Sequence, residues 1–116
     1  MGDLWSRDDG GNFTVGLLTE EKHCNHYPDT VHGGVLMTFA DNALGFGVVR
    51  ELGGTGCFTA SLQTQFASSA RIGDFLTCRP EIVRKTRSLV FVRGLLKVDD
   101  RVIASADGIW KVMEPL

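Results

Sequence analysis

The chain has 116 residues, 43% of them hydrophobic and 22% charged, which suits a single domain spanning 1–116 and leaves no room for a second core. A formal net charge of -2 offers no general attraction to phosphate polymers, so nucleic acid is excluded as a first-choice partner. No apolar run approaches the roughly 20 residues that cross a bilayer, and Met1-Gly2-Asp3-Leu4-Trp5 lacks the basic and apolar regions of a secretion signal, so the chain reads as cytosolic with no membrane partner.

In chain order, Asn12 to Glu20 places Phe13, Val15 and Leu17 at alternate positions, the period of a half-buried strand. Glu21 to Asp29 is polar and histidine-rich, and Pro28 opposes a continuing helix or central strand, so a loop is expected there. From Val35 to Arg50 the period becomes helical: Val35, Leu36, Phe39, Ala40, Ala43 and Phe46 share one broad face, which Met37 and Leu44 extend. Thr38, Asp41, Asn42 and Gly45 fill the narrow remainder. Such a helix is expected to be buried around most of its circumference, with its polar sector forming an exposed seam or lining a cavity. Gly53-Gly54 then ends it, and Gly53-Gly54-Thr55-Gly56 reads as a helix exit, since no Lys-Ser/Thr follows to make it a phosphate loop.

The rest reads as strands. Cys57 to Phe66 alternates Phe58, Ala60, Leu62, Thr64 and Phe66 against Thr59, Ser61, Gln63 and Gln65. Phe75 to Val83, Leu89 to Val98 and Arg101 to Val112 follow, with Asp99-Asp100 predicting a tight hairpin. Cys24, Cys57 and Cys78 are odd in number and far apart, and are read as small buried hydrophobes.

The order is strand, long helix, then four strands joined by links too short for parallel crossovers. An antiparallel sheet must cover its apolar face, and the chain offers one helix for this. The expected fold is therefore α+β, an antiparallel sheet wrapped around one long helix. The apolar surface and sheet edges left over predict a homo-oligomer, a dimer or a dimer of dimers, in which sheets pair edge to edge.

His23-Cys24-Asn25, then His32-Gly33-Gly34, then Asp41 nine residues after that histidine, with Ala43-Leu44-Gly45 following, resembles the hotdog-fold acyl-CoA thioesterases of the phenylacetic-acid-degradation (PaaI-like) group. Phe66 to Asp74 resembles the same group's F-x-x-P-A-x-x-G-D strand exit, with Ser69 where proline is usual. One spacing departs: Asn25 precedes His32 by seven residues where the family has six, so either the loop has gained a residue or His26 fills the asparagine position; the retained H-x-N frame favours Asn25.

The resemblance implies hydrolysis of a small aromatic or medium-chain acyl-CoA without a cofactor. It makes Asp41 the general base or nucleophile and the Gly33 N–H the oxyanion donor, while Asn25 and His32 orient the thioester or water and Thr59 supplies a hydroxyl near the attacking water. It also implies a site shared between subunits, with Asp41 facing Gly33, His32 and Asn25 of the partner. The chemistry agrees with these residue types. A helix start offers backbone N–H groups without intrahelical acceptors, glycine admits an oxygen close to them, and a thiolate leaves without a strong acid. Gly34 and His26 are expected beside the substrate, and Arg71, Arg84, Lys85 and Arg87 near the CoA phosphates; the plain reading of Arg84-Lys85-Thr86-Arg87 is a solvated turn.

His23, His26, Asp29, His32 and Asp41 match no zinc-ligand spacing, so no metal is expected. On its loop, His23 reads more readily as surface than as site. Two alternatives remain open. His26-Tyr27-Pro28 followed by Gly34-Val35-Leu36 resembles the hotdog-fold 3-hydroxyacyl thioester dehydratases, which would pair His26 with Asp41. A non-catalytic acyl-CoA-binding hotdog domain is the other.

Overall fold

The computed structural model describes residues 2–25 and 29–113; His26 lies outside them, so its two proposed roles have no geometry. Strand β1 (Leu4–Asp9) was not expected from the sequence. Its two apolar residues are adjacent rather than alternating, and most of it is exposed, because it is an edge strand whose one neighbour is β2 (Asn12–Leu18). The turn between them uses Gly10 at φ 78°, where a side chain would be strained. Val15 and Leu17 of β2 point into the core with no exposure. The strand ends two residues short of the expected Glu20, and buried Thr19 puts its hydroxyl 2.7 Å from the Arg71 carbonyl and 2.8 Å from that of Asp74.

A 3-10 turn (Glu21–His23) leads to helix α1 (Gly33–Glu51), which starts two residues before the expected Val35. Leu36, Phe39, Ala40, Ala43 and Leu44 face the core as predicted, and Val48 joins them. The expectation that apolar residues are covered nearly all round fails: Phe46 is 44% exposed and Met37 43%. The sheet reaches one side of α1, and among the described residues Met37, Phe46 and Val49 on the other side stay exposed.

After α1 come five strands rather than four: β3 (Cys57–Phe66), β4 (Phe75–Cys78), β5 (Glu81–Lys85), β6 (Leu89–Val98) and β7 (Arg101–Val112). The expected strand Phe75 to Val83 is broken at Arg79-Pro80, where proline supplies no ladder N–H. Both pieces still pair with β6. Arg84 and Lys85, expected in a turn, close β5, and Asp99-Asp100 makes the predicted two-residue hairpin, with Asp99 at φ 54°.

The sheet is antiparallel throughout, ordered β1-β2-β4-β6-β7-β3 with β5 continuing the line of β4. Its inner face brings Val15, Leu17, Leu76, Cys78, Val90, Val92, Leu96, Ala104, Ala106 and Trp110 against α1 in one core. Gly47 seats the helix at the Arg79-Pro80 break, where an added Cβ would lie 2.4 Å from Pro80 Cβ. This is the expected helix-wrapped sheet, with β1 and β3 as its edges. Of the cysteines, Cys78 is buried, while Cys24 and Cys57 are half-buried; all three are free thiols. Burial pushes the Cys78 thiol up to about 12. No described helix is long and apolar enough to cross a membrane.

Candidate active site

The start of α1 is threaded between two loops. The Val31 N–H donates to the Ala70 carbonyl (2.8 Å) and the His32 N–H to that of His23 (2.8 Å). The Asn25 N–H donates to the Thr30 carbonyl (2.7 Å), and Thr30 pairs as an isolated bridge with Arg71. The Asn25 side chain is held by the same residue, its Nδ2 donating to Thr30 Oγ1 at 3.1 Å, and among the described residues its Oδ1 has no donor. Asn25, Arg71, His32, Gly33 and Gly34 are therefore gathered at one end of the helix.

His32 is the N-cap. Its Nδ1 accepts the Gly34 N–H at 3.0 Å, and its carbonyl accepts those of Val35 (2.9 Å) and Leu36 (3.2 Å). Among the described residues the Gly33 N–H has no partner, so the one open donor of this first turn belongs to the residue the sequence singled out. A neutral His32 ring accepting at Nδ1 carries its proton on Nε2, a donor directed away from the cap.

Asp41 lies eight residues beyond Gly33, about 12 Å along the axis. Its Oδ1 accepts the Thr59 hydroxyl at 2.6 Å. The strand alternation read from Cys57 to Phe66 assigned Thr59 to the face opposite Leu62 and Phe66, and this is overturned. Thr59 pairs with Trp110 and Ser61 with Ile109, so Ala60 is an extra residue, a β-bulge that switches the alternation. Thr59 thereby joins Leu62, Thr64 and Phe66 on the helix side, and Phe58 turns to the outer face. Gly45, one turn beyond Asp41, lets the Trp110 indole approach: an added Cβ would stand 3.4 Å from its Nε1.

With Thr59 on Oδ1, the second Asp41 oxygen stays available. A water placed there would give one hydrogen to Oδ2 and the other to a Thr59 lone pair, which fits general-base activation. Among the described residues no three His, Cys, Asp or Glu side chains gather to hold a metal ion.

Within one chain the structure gathers two groups of the sequence-predicted residues at different places, Asn25, His32, Gly33, Gly34 and Arg71 at the helix start and Asp41 with Thr59 along its flank. Lys85 stands in the same cross-strand row as Thr59, through Val90 and Trp110, with Arg84 on the opposite face of the sheet and Arg87 in the turn before β6. Lys85 is thus three strands away from Thr59, while Arg71 lies with the Gly33 group. His23, read as surface, is buried instead; its Nδ1 accepts the Glu20 N–H at 2.9 Å, which pins the turn before the helix. Burial holds its pKa below the usual histidine value, with Lys22 acting in the same direction.

Sequence reasoning missed Arg101, which clamps the loop after β3 by donating to Ser68 Oγ (2.7 Å) and the Ser69 carbonyl (2.6 Å). No sequence signal marks it, because the clamp depends on register. A surface cleft of about 1130 Å³ lies elsewhere, at the Arg79-Pro80 break and the helix C-terminus. There Arg50 pairs with Asp8, Arg93 with Glu81 and Arg79 with the Asn12 side chain, so its guanidinium groups are already engaged.

Residues 29–105 match the thioesterase superfamily. A provisionally assigned esterase of Pseudomonas aeruginosa is 34% identical over 113 residues, covering 95% of this chain and 83% of its own. Among solved structures, a Bacillus halodurans protein determined with CoA is 26% identical with a TM-score of 0.85, covering 97% of this chain and 75% of that one. The Escherichia coli PaaI protein of the phenylacetic acid degradation operon is 17% identical with a TM-score of 0.86, covering 96% and 80%, a likeness of fold.

Proposed function

The chain belongs to the thioesterase superfamily and is a thioester hydrolase, and from that premise we propose that it hydrolyses a small aromatic or medium-chain acyl-CoA to the free acid and CoA, in the cytosol and as a homo-oligomer. The observation that carries this reading is the Thr59–Asp41 hydrogen bond of 2.6 Å on the uncovered flank of α1. It fixes one carboxylate oxygen and leaves the other for a proton. The CoA bound to the Bacillus halodurans relative supports the choice of thiol.

In the proposed reaction Asp41 takes a proton from water, whose oxygen attacks the thioester carbon. The carbonyl oxygen accepts from the open Gly33 N–H as negative charge develops on it. The C–S bond then breaks, and the thiolate leaves. Asn25 Oδ1 and the outward Nε2–H of His32 orient the thioester. Since about 12 Å of helix separates Gly33 from Asp41 in one chain, the carboxylate acts with the Gly33 of a second subunit. The two would meet if the open β3 edge paired with its copy about a two-fold axis. CoA phosphates would then meet Arg84, Lys85 and Arg87 from the subunit giving Asp41, and Arg71 from the one giving Gly33.

The test is thiol release from a panel of CoA thioesters by the wild-type protein and by Asp41→Ala. The variant should be at least about a hundredfold slower, the scale of a lost general base; retained turnover removes Asp41 from the role. A dehydratase would consume 3-hydroxyacyl thioesters without releasing thiol and would require His26, and a binding module would release no thiol from any thioester.

A further inference from the structure

We propose that Phe66 sets the acyl selectivity of this site, favouring acyl groups unbranched at the carbon next to the thioester carbonyl; this rests on the reading of Gly33 as the oxyanion donor. The edge of the Phe66 ring rests on that glycine: a Cβ built on Gly33 would lie 3.6 Å from Phe66 Cζ and 3.9 Å from Cε1. A carbonyl oxygen held by the Gly33 N–H would sit about 3 Å from the nitrogen. The substrate atoms that meet the ring are then those two and three bonds from that oxygen, the first acyl carbon and whatever it bears. A flat ring edge accommodates a methylene there and collides with a second substituent.

Both sides of this contact are anchored to the same loop. The Ala67 and Ser68 N–H groups donate to the Ile103 carbonyl (2.8 and 3.1 Å), fixing the chain just after Phe66, and Val31 is tied to Ala70 just before Gly33. The backbone that carries the ring is therefore set in place beside the start of the helix. At 52% exposed, it still has a face open to a ligand. The other phenylalanines of the helix and β3 are elsewhere: Phe39 is wholly buried, Phe58 is turned to the outer face by the Ala60 bulge, and Phe46 lies about 20 Å along the helix from Gly33.

The experiment compares kcat/KM for the isomeric hexanoyl-CoA and 2-methylpentanoyl-CoA in wild type, Phe66→Leu and Phe66→Ala, with thermal unfolding as a check on folding. Wild type should prefer the linear substrate at least about tenfold, the discrimination that one misplaced carbon brings. The preference should shrink to within about threefold in Phe66→Ala and lie between in Phe66→Leu, which also serves should the alanine variant not fold. An unchanged ratio in the variants, or no preference in wild type, overturns the proposal. Binding of the matching linear and branched ketone analogues, in which a methylene replaces sulfur, is measured in parallel and needs no hydrolysis. The same collapse of preference in binding supports the role of Phe66 even if no thiol is released, an outcome that instead sinks the hydrolytic reading. Equal binding of both analogues to wild type overturns the role of Phe66.

Discussion

Replacing Thr59 with valine keeps the shape of the side chain and removes the oxygen that donates to Asp41 Oδ1 at 2.6 Å. A hydrogen bond to a charged group contributes about 1.5–3 kcal/mol. Here Thr59 is exposed and Asp41 only half-buried, so solvent competes and the lower end applies. At about 1.4 kcal/mol per factor of ten, Thr59→Val should lower kcat/KM about tenfold. Thr59→Ser restores the hydroxyl and should stay within about threefold of wild type. The assay is thiol release at saturating and limiting substrate, with thermal unfolding to show that β3 retains its register. If the valine variant keeps full activity, the hydroxyl has no part in catalysis. If the serine variant is as slow as the valine variant, the methyl packing rather than the hydroxyl explains the loss.

Other outcomes follow from the same geometry. Gly33→Ala places its Cβ in ordinary contact with Phe66, so unfolding should be little changed while crowding at the N–H slows turnover at least about tenfold; wild-type rates would remove Gly33 as donor. Mixing Gly33→Ala with Asp41→Ala subunits should restore about a quarter of wild-type activity, because half the dimers then carry one intact site of two; no recovery on subunit exchange would mean the site is not shared. Gly47→Ala gains about 1 kcal/mol of helix propensity but drives a Cβ into Pro80 at 2.4 Å, and overpacking against a rigid ring costs about 1–3 kcal/mol. A lowered unfolding midpoint is expected, and a raised one would refute the contact. Since the folded pKa of His23 is held down by burial, its contribution to stability is complete above the unfolded value of about 6.5 and drains away as pH falls below it. Thermal unfolding from pH 8 to pH 5 should therefore fall more steeply in wild type than in His23→Asn, and identical slopes would refute this.

The long helix and most strand spans were legible because each rests on local chemistry: glycines at both ends of α1, alternation in β2, turn-forming segments between the later strands, two aspartates at the last hairpin. Strand β1 was not, since Leu4 and Trp5 are adjacent and the rest of the strand is polar on both faces, as an edge strand permits. The break at Pro80 did leave a mark, a proline inside a strand pattern, and its consequence for pairing appears once both pieces are seen on β6. Illegible in principle was the bulge at Ala60. Phe58 through Phe66 alternates without a flaw, and nothing in the sequence tells that the register against β7 slips by one residue. Asp41 was singled out by the resemblance that its spacing to His32-Gly33-Gly34 carries, whereas the reason Thr59 reaches it lies entirely in that slip.

The uncovered flank of α1 joins these points. Beside Asp41 the helix exposes Met37, Phe46 and Val49, all at least 40% accessible, and the neighbouring strand β3 has one hydrogen-bonded partner and one open edge. Exposed apolar side chains next to an unpaired edge favour association, and a second copy of the chain brings the complementary edge. In the proposed dimer the carboxylate on this flank would be enclosed by the partner, and its interaction with a water and a developing oxyanion would strengthen as the local dielectric falls. On the proposed reading, the surface that a monomer can least tolerate leaving bare is the surface that completes the site, so assembly and catalysis depend on the same residues.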